Sequence, residues 1–201
     1  MKPSWLNISP DSGSGNGTFI ASADEHTGRI ARAGHVQVTA VGVPSPVVME
    51  VMQEGRGQTV SFSDGTEMAA PKTAGNVAVK GKSNSQLLTF AFVGDSKDVE
   101  LPVQFTAAGI QTDNGSEIEG DPGSYNEYEF SIVLNFPLND TVDEIERTLK
   151  VSTEDGTSAQ IVIKQAAGDA RLTVNPEVIT LQNDGTPVTV NVESNTSWTV
   201  S

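Results

Sequence analysis

Apolar residues recur at every second position through most of the chain. Val36 and Val38, Val47 through Met52, Tyr128-Phe130-Ile132-Leu134 and Val188-Val190-Val192 all follow this pattern. Alternation of this kind predicts half-buried strands, because successive side chains of a strand point to opposite faces. Turn residues punctuate the runs: Ser12–Gly17, Asp64-Gly65, Asn114-Gly115, Asp121-Pro122-Gly123, Asp155-Gly156 and Asp184-Gly185. Gly and Asn tolerate positive φ and Pro presets φ, so these positions suit hairpins and loops. One stretch, Thr141–Lys150, reads as a turn or two of helix, with Thr141 and Glu144 spaced as a capping box. Many short strands with frequent turns predict an all-β sandwich.

The pattern repeats within the chain. Val47–Gly55 parallels Ala159–Gly168, each an alternating strand that closes in Gln and small residues. Upstream, the run from Arg29 parallels that from Arg147, and Leu87–Phe105 is matched with Arg171–Val192. The expected organisation is a complete unit over residues 72–168, carrying an acidic, Tyr-rich hairpin insert at 112–129. It is flanked by the second half of a unit at 1–57 and the first half of one at 169–201. Residues 58–71 are expected to be a linker that adds an edge strand.

The two flanking pieces read as one domain when joined tail to head. The pattern begins with Leu172, Val174, Pro176, Asn195, Trp198, Thr199 and Val200. It continues from the other terminus with Trp5, Leu6, Ile8, Pro10, Ser12, Gly13, Gly15, Gly17, Arg29, Gln53 and Gly55. Counted through Ser201 and on from Met1, Trp5 lies eight positions after Trp198. In order and spacing this resembles the BACON domain, an immunoglobulin-like sandwich common in Bacteroidota proteins and in crAss-like phages. The middle unit lacks the Trp pair and reads as a divergent member. The resemblance implies two immunoglobulin-like units, one of them split between the termini. The family name also implies carbohydrate binding.

A half-sandwich must be completed. The residues expected to do so are Leu172, Val174, Val188, Val190, Val192 and Trp198 on one side, and Trp5, Leu6 and Ile8 on the other. Completion between chains would build a homo-oligomer. Completion within one chain would give a discontinuous domain, and the short connection 166–171 favours exchange between chains.

Charge narrows the partners. Acidic residues number 26 against 12 basic, a net charge of -14, which disfavours binding a phosphate backbone and so argues against nucleic acid. The chain has no cysteine, so disulfides and thiolate metal sites are excluded. The first ten residues hold no apolar core of a signal peptide, and no run of about 18 apolar residues predicts membrane insertion.

Candidate chemistry is sparse. Tyr125, Tyr128, Asn114 and Asn126 in the insert suit recognition of a glycan or a protein. Glu117, Glu119, Asp121 and Glu127 offer oxygens for calcium, but their spacing does not match an EF-hand. Trp5 and Trp198 could stack on a sugar, although packing between two sheets explains them more simply. His26 and His35 read as surface or edge residues, and Arg29 and Arg147 as equivalent ion-pairing residues at a strand entrance. No nucleophile elbow, phosphate loop or dinucleotide fingerprint is present. The expectation is a non-enzymatic chain with no cofactor and no metal. The leading reading is a structural protein of a phage virion, a capsid auxiliary or decoration protein that docks on capsid or other virion proteins. The alternative is a carbohydrate-binding or spacer module on a bacterial cell surface.

Overall fold

The computed structural model of the protein describes residues 2–201. Four strands come first: β1 (Leu6–Ser9), β2 (Ile20–Ala23), β3 (Arg32–Val38) and β4 (Val47–Gln53). Then follow β5 (Val60–Phe62), β6 (Glu67–Ala70), β7 (Gly75–Ser83), β8 (Leu88–Val93), β9 (Gln104–Ala107), β10 (Ile110–Asp113), β11 (Tyr128–Phe136), β12 (Ile145–Thr153) and β13 (Ser158–Gln165). Two more, β14 (Leu172–Asn175) and β15 (Asn191–Ser194), close the chain. The protein is all-β, with no helix among the described residues.

Strands β5 to β13 make a two-sheet sandwich. One sheet runs β10-β9-β11-β7-β5 and the other β6-β13-β12-β8. The pairings are antiparallel except β6 with β13, which is parallel. Alternation decides which residues fill the space between sheets. Val77 and Val79 from β7, Phe130, Ile132 and Leu134 from β11, Leu149 and Val151 from β12, and Ile161 and Ile163 from β13 are all buried. Phe90 lies 5.0 Å from Phe105 and 5.5 Å from Phe130, ring centre to ring centre. Such tilted and edge-on pairs add to area burial. Gly81 makes room for this cluster: a Cβ there would overlap the Phe130 ring and the Ser61 carbonyl.

Three expectations change. Residues 58–71 do supply the expected edge strand, and a second one besides: β5 pairs with β7 and β6 with β13, one at the edge of each sheet, so the segment is part of the sandwich rather than a linker. Thr141–Lys150 holds no helix. Its second half enters β12, where Arg147, Leu149, Val151 and Thr153 alternate inward. A polar residue, Arg147, occupies the second inward position, after half-buried Ile145, and disguises the period of two. The 112–129 segment is not a hairpin. It leaves β10 by a turn, forms one bridge between Glu117 and Leu87, buries Ile118 in the core, and loops back to β11.

The flanking pieces lie at opposite ends of this sandwich. Residues 2–57 form two antiparallel pairs, β1-β2 and β3-β4. They meet the sandwich where β7 ends at Ser83 and β11 begins at Tyr128. Residues 171–201 form the pair β14-β15, which meets it beside Asn139 and Asp140, just past the far end of β11. Nine residues of β11 separate the two ends, roughly 27 Å at about 3.4 Å per residue. Among the described residues no strand of one piece pairs with a strand of the other.

Candidate functional site

The two junctions between pieces are built from the same parts. At the first, Asn84 Oδ1 accepts from Thr59 N (2.8 Å), and its Nδ2 donates to Gly57 O (3.1 Å) and Thr27 O (3.2 Å). At the second, Asn195 Oδ1 accepts from Arg171 N (2.9 Å), and its Nδ2 donates to Asp169 O (2.9 Å) and Asp140 O (2.6 Å). Each Asn thus clamps the strand that opens its own unit, the residue two before it, and a loop of the preceding unit. The serines beside them repeat as well. Ser83 Oγ donates to Thr59 O (2.7 Å) and accepts from Ser85 N (3.0 Å). Ser194 Oγ donates to Arg171 O (2.9 Å) and accepts from Thr196 N (3.1 Å). An amide side chain that satisfies three backbone groups substitutes for strand pairing where no strand continues.

A second motif repeats within the units. Arg147 is buried, with its guanidinium 5.0 Å from the Phe136 ring. It donates to Ser96 O (2.7 Å), Lys97 O (2.8 Å) and Gln165 Oε1 (3.0 Å). Arg32 lies 4.7 Å over the Trp5 ring and donates through Nε to Gln53 Oε1 (2.9 Å). The counterpart of Arg147 is therefore Arg32, which corrects the expected match with Arg29. Gln165 follows Gln53 by 112 residues, Arg171 follows Thr59 by 112, and Asn195 follows Asn84 by 111. The segment 171–194 consequently corresponds to 59–83, and β14-β15 to β5-β7, rather than to the run from Leu87.

Arg29 belongs to the first junction. It donates to Asn84 O (2.5 Å), Asp121 Oδ2 (2.5 Å) and Gln86 Oε1 (3.2 Å). Residues 123–126 run beside 28–30, with Arg29 N and Ile30 N donating to Gly123 O (3.2 Å) and Ser124 O (3.1 Å). Gly28 permits that approach, since a Cβ would overlap the Tyr125 backbone. Arg56 pairs with Glu127 at 2.9 Å.

The insert residues divide accordingly. Tyr128 is a core residue rather than a contact residue: it is buried and its OH donates to Ser85 O at 2.8 Å. Burial pushes its phenol well above the usual range. Asn114 brackets Phe90, accepting from its N–H (2.7 Å) and donating to its carbonyl (3.0 Å). Asn126 accepts from Thr27 Oγ1 at 2.8 Å. Tyr125 alone of the four projects freely, at 67% exposure. His26 is buried, with Nε2 2.8 Å from Ile30 O, and is not the surface residue expected. His35 is exposed on β3. Among the described residues no group of three or more His, Asp or Glu is placed to hold a metal.

Apolar surface gathers in the two flanking pieces. In the C-terminal piece Leu172, Val174, Val188, Val190 and Trp198 are exposed, Trp198 by 51%, while Val192 is half-buried. In the N-terminal piece Leu6 is buried and Trp5 and Ile8 are half-buried, but Phe19, Ile20, Val47, Val48, Met49 and Met52 are exposed. Phe19 and Ile20 were not among the residues expected to complete a sandwich. The alternation Phe19-Ala21-Ala23 was legible but weak, because two of its members are alanine. The Asn junctions were also missed, although Ser83-Asn84-Ser85 and Ser194-Asn195-Thr196 carried the signal.

No family model matches the chain, and no curated protein matches it. Among solved structures it is similar to a Bacteroides ovatus GH5 xyloglucanase in complex with a XXXG heptasaccharide, at 10% identity and a TM-score of 0.31. The similarity covers 62% of this chain and 22% of that one, so the chain spans about a fifth of the enzyme's length. A likeness of this depth says nothing of what the chain does.

Proposed function

We propose that this chain is a non-enzymatic structural protein that assembles by completing half-sandwiches between copies. The observation that carries the reading is the placement of two half-sandwiches at opposite ends of a complete one, each with an exposed apolar face. Exposed apolar faces and unpaired strand edges are liabilities unless another chain covers them. The covering strands would add by β-augmentation, with alternate side chains completing a core. The setting we favour is the surface of a phage virion, on the resemblance of the half-sandwich sequences to domains of crAss-like phages. The net charge of -14 suits docking on a basic protein shell rather than contact with a packaged genome.

Removal of residues 171–201 tests the assembly. The truncated chain should keep the cooperative unfolding of the central sandwich and lose self-association. Unchanged association after the deletion would contradict exchange through this segment. Mass spectrometry of density-purified phage particles tests the setting, and absence of the chain from the particles would contradict it.

A further inference from the structure

The complete sandwich contains a template for how the halves fit, and its two edges match theirs. Strand β11 has β9 on one side and β7 on the other. Strand β2 has β1 on one side and, among the described residues, no strand on the other. Strand β7 lies between β11 and β5, while β15 has β14 on one side and no described strand on the other. The missing neighbour of β2 is thus the kind of strand that β15 is, and the reverse also holds.

Two anchors set the register. Ser83 and Ser194 make the same junction bonds. His26 and Asn139 are both buried, and each contacts the carbonyl four residues on, at 2.8 Å. Within the complete sandwich Val77 and Val79, six and four residues before Ser83, face Leu134 and Ile132, five and seven before Asn139. The same offsets from Ser194 and His26 give Val188 and Val190 opposite Ala21 and Phe19. All four are exposed in the isolated chain, and all four would become core.

We infer that residues 186–194 of one copy, the stretch that leads into and includes β15, pair antiparallel with residues 15–23 of a second copy, the stretch that leads into and includes β2, with Val188 facing Ala21 and Val190 facing Phe19, and that the chain grows head to tail. This rests on the assembly reading above and specifies its interface. The donor and acceptor surfaces differ and lie at opposite ends of each copy. The contact is therefore heterologous, and such contacts give open filaments or rings rather than two-fold dimers. The matching Asn84 and Asn195 junctions carry one geometry from unit to unit, so the product is an array of like sandwiches, two per copy.

Disulfide trapping tests the register, and the chain has no cysteine to interfere. By the same offsets Ile20 faces Thr189, as Val133 faces Ala78 on the solvent side of the template. Paired residues of antiparallel strands have Cα atoms about 4.5–5.5 Å apart, within disulfide range. Full-length chains carrying Ile20→Cys are mixed with full-length chains carrying Thr189→Cys, oxidised mildly, and run on a non-reducing gel. A covalent dimer is expected, forming at least about tenfold faster than with Asn191→Cys in place of Thr189→Cys, since diagonal neighbours sit about 7–8 Å apart. Faster trapping with Asn191→Cys would overturn the register while leaving exchange between copies intact. Multimers in solution without either cross-link would overturn the pairing of 186–194 with 15–23. A protein that stays monomeric throughout would overturn the assembly reading itself and this inference with it.

Discussion

Arg147 Nη1 donates to Gln165 Oε1 at 3.0 Å across the β12-β13 pair, inside the core. The same guanidinium satisfies the carbonyls of Ser96 and Lys97. Arg147→Ala leaves three acceptors without this partner, the Gln165 Oε1 among them buried, and should cost about 3 kcal/mol. Arg32→Ala, at the half-buried counterpart, should cost about 1 kcal/mol or less. Urea unfolding of both variants measures the contrast, and equal losses would contradict the difference in burial.

Asn84 is buried and serves three backbone groups at once. Asn84→Ala should therefore destabilise the sandwich by about 2–3 kcal/mol and detach residues 2–57 from it. Asn84→Asp should not rescue, because a carboxylate accepts but cannot donate to Gly57 O and Thr27 O. Limited proteolysis near Gly57, together with urea unfolding, reads both effects.

Tyr128 gives the sandwich an alkaline limit. Burial holds its phenol neutral, with a pKa raised above the ordinary 10.0. The unfolded chain releases that proton near 10 while the folded chain keeps it, so stability is fully present below pH 10 and falls as pH rises beyond it. Ultraviolet difference titration should show the Tyr128 phenol still protonated above pH 10 and ionising as the sandwich unfolds. Tyr128→Phe should flatten the loss of stability above pH 10.

Val188 and Val190 are exposed in the isolated chain. Either one changed to Asp should leave the unfolding of the central sandwich within about 0.5 kcal/mol of the parent. In an assembled core the same carboxylate would be buried without a partner, weakening association by at least about 100-fold. Sedimentation velocity measures the second effect and urea unfolding the first.

Much of the fold was legible. The inward residues of β7, β11, β12 and β13 alternate plainly, and the all-β architecture follows from them. Tyr128 stands in phase with Phe130, Ile132 and Leu134, so its burial was readable from that period, against the expectation that it belongs to a contact surface of the insert. Two features resisted. Arg29 and Arg32 lie three residues apart, and spacing alone does not show which enters the strand; the ring beneath Arg32 belongs to distant Trp5. The junctions leave no periodic trace, because their Asn bonds only backbone groups, and the repeated Ser-Asn-Ser and Ser-Asn-Thr triplets were their one sign in the sequence. Glu117 to Glu127 read as a surface insert because their polarity is real, yet the backbone between them is spent holding the preceding unit.

Absolute mass in solution tests the central claim most directly. Light scattering behind size exclusion, over a wide range of concentration, should give masses that rise with concentration through multiples of 21.1 kDa, as open head-to-tail growth requires. A mass of 21.1 kDa at every concentration would contradict it, and would mean that the two apolar half-sandwiches are not completed by copies of this chain.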